Sequence, residues 1–141
     1  MVYFRERLAK QAITPAIWVN VMATAPFLRT QTINEAIRVL ETHEYFDSVF
    51  TASKVGHSMH HWKDGRPLYD INTFPRTQDD PSIIYRETCG LHAIRDHALA
   101  NTGRWIGLRP FPLMVDDEEA RDIDWPADVP KERTVTEYPI T

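Results

Sequence analysis

The spacing of apolar side chains changes several times along the chain, and each change marks an element. Phe4 and Leu8 stand four apart among Arg and Lys, which predicts a short amphipathic helix over Val2–Gln11. Thr14-Pro15 ends it. Ile17-Trp18-Val19-Asn20-Val21-Met22 is rich in β-branched and aromatic side chains and predicts a largely buried strand, followed directly by the loop Ala23–Thr30. Thr32 with Glu35 has the form of a capping box, and Ile33, Ala36, Ile37 and Leu40 then lie along one helical face. Asp47–Ala52 predicts a second strand. Strand, helix and strand at this spacing make a βαβ unit, with a right-handed crossover and strands paired in parallel.

Between Ser53 and Ile84 the periodicity gives way to Gly, His, Pro and charge, with Lys63-Asp64-Gly65-Arg66-Pro67 as a turn. A stretch this long without core periodicity predicts an arm over about residues 53–84. Regular structure resumes with a strand at Cys89–Ile94, a helix near Asp96–Ala100, a strand at Arg104–Leu108 and an extended piece at Pro112–Val115. Two acidic clusters follow, Asp116-Asp117-Glu118-Glu119 and Arg121-Asp122-Ile123-Asp124-Trp125-Pro126. The polar tail from Pro130 is expected to pack loosely.

Composition bounds this picture. With 141 residues, 43% hydrophobic, the chain suits one domain (1–141) with a real core. A net charge of −4 excludes a basic nucleic-acid footprint. The single cysteine, Cys89, has no partner for an internal disulfide and is expected to act as a small core hydrophobe beside Gly90, while Trp18 and Trp105 are expected in the core. His57, His60 and His61 in the arm lack the further ligand that a tetrahedral zinc set needs. The N-terminus carries charge where a signal peptide is apolar, and no apolar run approaches the roughly 18 residues of a membrane span, so a cytoplasmic protein is expected.

Three blocks carry candidate chemistry. Asp122 and Asp124 flank Ile123 before a Pro-marked turn; in an extended segment both carboxylates share a face and can converge on a hard cation such as Mg²⁺. An acidic surface loop has the same appearance. The loop Ala23-Thr24-Ala25-Pro26-Phe27-Leu28-Arg29 leaves a buried strand where open α/β folds place ligands, although it also suits a plain connection. Pro75-Arg76-Thr77-Gln78-Asp79-Asp80-Pro81 gathers forked donors and carboxylates in the arm, and the Arg76 guanidinium suits a carboxylate or phosphate.

In order and spacing, the run Val19–Arg29, then Asp47–Thr51, then Pro75–Asp79, then Arg121–Pro126 resembles the acylneuraminate cytidylyltransferases over roughly residues 15–130. The resemblance implies an α/β fold with a nucleotidyltransferase-like, mostly parallel sheet flanked by helices and a projecting dimerisation arm. It implies transfer of CMP from CTP to an acidic 2-keto sugar, with release of pyrophosphate. Asp122 and Asp124 match the acidic pair that holds Mg²⁺ in that family. Thr24 and Arg29 lie in the loop matching the sugar and nucleotide cleft. Arg76 and Gln78 match the arm that crosses a homodimer to the sugar acid of the neighbouring subunit.

The match also has departures. Family members open with a strand and a phosphate-wrapping loop that has no counterpart here, so an N-terminally truncated domain is expected. Met22 stands where many members carry Gln, and Thr88 where Asn is frequent. Three readings follow: a transferase active as a split or oligomeric assembly, a sugar-acid-binding module without turnover, and a remnant that only dimerises.

Overall fold

The computed structural model describes residues 2–57, 61–72 and 83–129. Their element order is α1 (Val2–Ala9), β1 (Ile17–Val21), α2 (Thr30–Thr42), β2 (Ser48–His57), β3 (Trp62–Lys63), β4 (Arg66–Pro67), β5 (Ile83–Arg95), α3 (Asp96–Thr102) and β6 (Pro110–Met114), with a short 3-10 turn at Pro126–Asp128. The fold is mixed α/β with few helices around a mixed central sheet of order β1-β5-β2-β6.

The sheet corrects one expectation directly. β1 and β2 point the same way but do not pair, because β5 runs antiparallel between them; among the described residues only β2 and β6 pair in parallel. The α/β class stands, but the parallel β1–β2 pairing does not. Strand order is decided by which faces complete a common core, and local periodicity carries no information on it.

Alternation along β5 divides the core in two. Leu91 and Ala93 face α2, where they bury Ala36, Val39, Leu40 and Val49 with Phe111 and Leu113 at the margin. Ile94 faces the other way, onto Ala98 and Leu99 of α3, with Trp18 and Trp105 packed against it. Both tryptophans thus pack against core, as expected. α1 is fastened to this second cluster by Arg5, whose guanidinium grips both Asp96 oxygens at 2.7 Å while the Trp18 indole donates to Asp96 at 2.9 Å. Arg5 and then Trp18 hold the Asp96 carboxyl below its ordinary range.

Helix α2 starts two residues before the expected capping box. Arg29 is its N-cap and no side chain caps it locally; Glu35 turns instead to Arg38, at 2.6 Å. The work is done from a distance: buried Glu119 accepts the Arg29 N–H at 3.0 Å, placing a carboxylate at the positive end of the helix dipole. At the other end Arg95 reaches back from β5 to the carbonyls of Leu40, His43 and Phe46.

The residues expected as a strand at Arg104–Leu108 form bends, because they wrap a buried carboxylate. Asp47, 5% exposed, accepts from Ser48 Oγ (2.9 Å), Leu108 N–H (2.9 Å) and Arg109 N–H (3.1 Å). Gly107 lies so close that a Cβ there would stand 2.3 Å from Asp47 Oδ1. The stretch assigned to the arm also holds more order than its composition promised. β2 and β5 continue as a two-stranded ribbon to the pair His57–Ile83, and β3 and β4 form a small hairpin beyond it. No described helix is long and apolar enough to cross a membrane.

Candidate functional site

Three pieces of chain, far apart in sequence, meet beyond the last residues of β1. The first is the loop that leaves Val21. The second is the segment after β6, whose Ile123 N–H donates to the Thr24 carbonyl at 2.8 Å. The third is an irregular stretch of β5. There Phe50 pairs with His92 and Ala52 with Glu87, so Thr51 alone lies opposite Thr88, Cys89, Gly90 and Leu91. This wide bulge turns Cys89 through a positive φ of 58°, and the thiol is exposed instead of buried. The expectation of a core cysteine fails because the bulge reverses which side of the strand the residue faces.

The second and third of these pieces enclose an open pocket of about 570 Å³, lined by Arg86, Glu87, Thr88, Cys89, Asp117 and Asp122 with Ala120, Arg121 and Asp128, while the loop after Val21 packs behind it without lining it. Its size suits a small ligand. Glu87, Asp117, Asp122 and Asp128 outnumber Arg86 and Arg121, so the pocket favours a cation, or an anion that brings one.

Asp122 lines the pocket, whereas Asp124 two residues on does not; both are exposed. The turn beneath them is held by Asp128, whose Oδ2 accepts from the N–H groups of Asp124 (3.2 Å) and Trp125 (2.8 Å). Among the described residues no group of three or more His, Cys, Asp or Glu is arranged to hold a metal. A pair of solvent-facing carboxylates nevertheless fits Mg²⁺, which takes one or two such ligands and fills its octahedron with water and substrate oxygens.

Thr24 does not line the pocket; its backbone carbonyl meets the segment that carries Asp122. Arg29 stands at the end of the same loop, but its guanidinium is engaged by Asp116 (2.7 Å), Glu118 (3.7 Å) and Glu119 (3.7 Å). It therefore braces the acidic turn against the loop. The Asp116 carboxyl sits below its ordinary range, first through the Glu119 N–H and then through Arg29. Arg76 and Gln78 lie outside the described residues, as does His60 of the arm histidines.

Sequence reading passed over Glu87 and His92 as a pair. Their side chains meet at 2.7 Å across the bulge, and Cys89 Sγ lies 3.8 Å from the same Glu87 oxygen. Only the looping-out of intervening residues brings these groups together, so sequence separation gave no signal. Burial, then the negative charges of Glu87 and Asp122, pushes the Cys89 thiol above its ordinary value. Removing either charge should lower it. Alkylation of Cys89 by iodoacetamide at mildly alkaline pH should accelerate in Asp122→Asn and more in Glu87→Gln, since removing a neighbouring negative charge favours the thiolate. Equal rates in all three proteins would mean that the thiol does not sense these carboxylates.

Compared with known proteins, no family model matches the chain and no curated protein matches its sequence.

Proposed function

We propose that the chain is a Mg²⁺-dependent nucleotidyltransferase of the acylneuraminate type, transferring CMP from CTP to an acidic 2-keto sugar with release of pyrophosphate. One observation carries the reading: the hydrogen bond from Ile123 N–H to the Thr24 carbonyl joins the loop after β1 to the Asp122-Ile123-Asp124 segment, whose Asp122 lines a ligand-sized pocket. These are two of the blocks on which the sequence resemblance rests, and they lie about 100 residues apart in the chain.

In the proposed reaction the sugar's anomeric hydroxyl oxygen forms a bond to the α-phosphorus and gives up its proton to water, while the bond to the bridging oxygen breaks and pyrophosphate leaves with its electron pair. Asp122 and Asp124 would hold Mg²⁺, which would supply charge neutralisation at the triphosphate. Arg86 and Arg121 face the same pocket with guanidiniums suited to anionic oxygens. Arg76 and Gln78 serve the sugar acid of a neighbouring subunit in a homodimer. Catalysis of this kind needs alignment more than covalent help, which is consistent with a pocket of charged groups.

An assembly is part of the proposal. β1 pairs only with β5 among the described residues, and its Val19 and Val21 are 37% and 48% exposed, so its outer edge is open to a further strand. The test is calorimetric titration with CTP and Mg²⁺, with and without N-acetylneuraminic acid, followed by a pyrophosphate assay. Heat with CTP and release of pyrophosphate are expected. Heat with the sugar acid alone would make the chain a binding module, and silence with both would leave only the dimerising remnant.

A further inference from the structure

We infer that Thr51 is a positioning residue of the pocket: its buried hydroxyl holds the β5 bulge in the shape that forms the pocket wall, and so governs binding without touching ligand. The inference rests on the nucleotidyltransferase reading for the identity of the ligand, but its structural half stands on the bulge alone.

Thr51 is 1% exposed and faces a strand segment that has abandoned regular pairing. A valine would fill the same volume, and the β2–β6 pairing on its other side uses only the backbone of Thr51. The hydroxyl has partners solely in the bulge. Its oxygen accepts from Leu91 N–H at 3.1 Å and from the Thr88 hydroxyl at 2.8 Å, and lies 3.5 Å from the Leu91 carbonyl. One side chain thus ties both ends of the excursion together.

What it holds is the pocket wall. Thr88 is turned inward onto Thr51, while Cys89 is turned outward beside Glu87 and Arg86. Gly90 lets the wall meet the loop after β1: Met22 N–H donates to the Gly90 carbonyl at 3.1 Å, and a Cβ on Gly90 would stand 3.2 Å from that of Ala25. The Glu87–His92 contact closes the same excursion a second time, with His92 8% exposed. A strand that keeps a non-glycine residue at positive φ and clamps it twice is preorganised at that point, and strain of this kind gathers at binding sites.

The test uses the full chain with Thr51→Val, Thr51→Ser and Thr88→Val, reading thermal midpoint, iodoacetamide alkylation of Cys89, and protection of that thiol by Mg²⁺ with CTP. Thr51→Val is expected to keep a cooperative transition, to alkylate several-fold faster, and to need roughly tenfold more nucleotide for protection, the scale set by one lost positioning contact. Thr51→Ser should behave as the parent, because it restores the hydroxyl. Thr88→Val should fall between them, and it decides the matter should Thr51→Val not fold. Unchanged alkylation in Thr51→Val and Thr88→Val would overturn the clamp, and faster alkylation with undiminished protection would overturn the positioning role. A parental thiol that Mg²⁺ and CTP leave unprotected would count against the nucleotide reading, whereas the alkylation rates of the variants judge the bulge by themselves.

Discussion

Replacing Asp47 with alanine should cost the fold about 3 kcal/mol and lower its thermal midpoint by roughly 10 °C. The carboxylate is buried and accepts three hydrogen bonds, two of them from the N–H groups that shape the turn before β6. Hydrogen bonds to a charged group contribute about 1.5–3 kcal/mol each, but Leu108 and Arg109 are exposed enough for water to recover part of the loss. Gly107→Ala should cost a similar amount for the opposite reason. Its Cβ would stand 2.3 Å from Asp47 Oδ1 and force the carboxylate from its seat. The two changes attack one contact, so the double variant should cost little more than either single one. Additive costs would mean that Gly107 is needed for something other than Asp47.

The same group predicts an acid response. Burial works against the Asp47 charge, but the N–H groups of Leu108 and Arg109, the Ser48 hydroxyl and the Arg109 charge together outweigh it and hold the carboxyl below its ordinary value. A depressed folded pKa stabilises the native state above the unfolded value of about 3.9, and that contribution is lost as pH falls through the folded one. Between about pH 5 and pH 2 the parent should therefore lose stability more steeply than Asp47→Ala, as followed by urea unfolding at each pH.

How much of this was legible in the sequence differs by residue. α2, the first half of β2 and α3 announce themselves, because each buries a run whose period matches its geometry; β1 was legible as a strand but is not the largely buried one expected, since it lies at the edge of the described sheet with Val19 and Val21 37% and 48% exposed. β5 does not announce itself. Its Tyr85-Arg86-Glu87-Thr88-Cys89-Gly90 stretch has no alternation, since the bulge breaks the pleat there and the ribbon before it is exposed on both faces. The place of β5 between β1 and β2 could not be read either, because pairing partners are chosen by the whole core. Asp47 looks like any acid before a strand; its partners lie about 60 residues on. Asp122 and Asp124 were visible as a pattern, and so was the Thr24 loop. Their meeting through Ile123 was not, since a backbone hydrogen bond leaves no trace in side-chain identity.

Asp122→Asn and Asp124→Asn should each reduce Mg²⁺-dependent pyrophosphate release from CTP by at least about 100-fold while leaving the thermal midpoint within a few degrees of the parent. The first half follows from charge: Mg²⁺ is a hard cation whose affinity depends on carboxylate charge, and an amide of the same shape supplies only a weak dipole. The second half follows from what holds the turn. Asp128 receives the N–H groups of Asp124 and Trp125, and the Thr24 carbonyl receives that of Ile123, so the backbone path depends on neither carboxylate. Asp128→Ala should give the converse pattern. Both proposed Mg²⁺ ligands would remain with their spacing relaxed, so the Mg²⁺ concentration at half-maximal turnover should rise while turnover at saturating Mg²⁺ is largely recovered. Asn variants that turn over as the parent does would remove the acidic pair from the chemistry. They would move the search for a cation site to Glu87 and Asp117, the pocket's remaining carboxylates apart from Asp128, whose oxygen is already committed to the backbone.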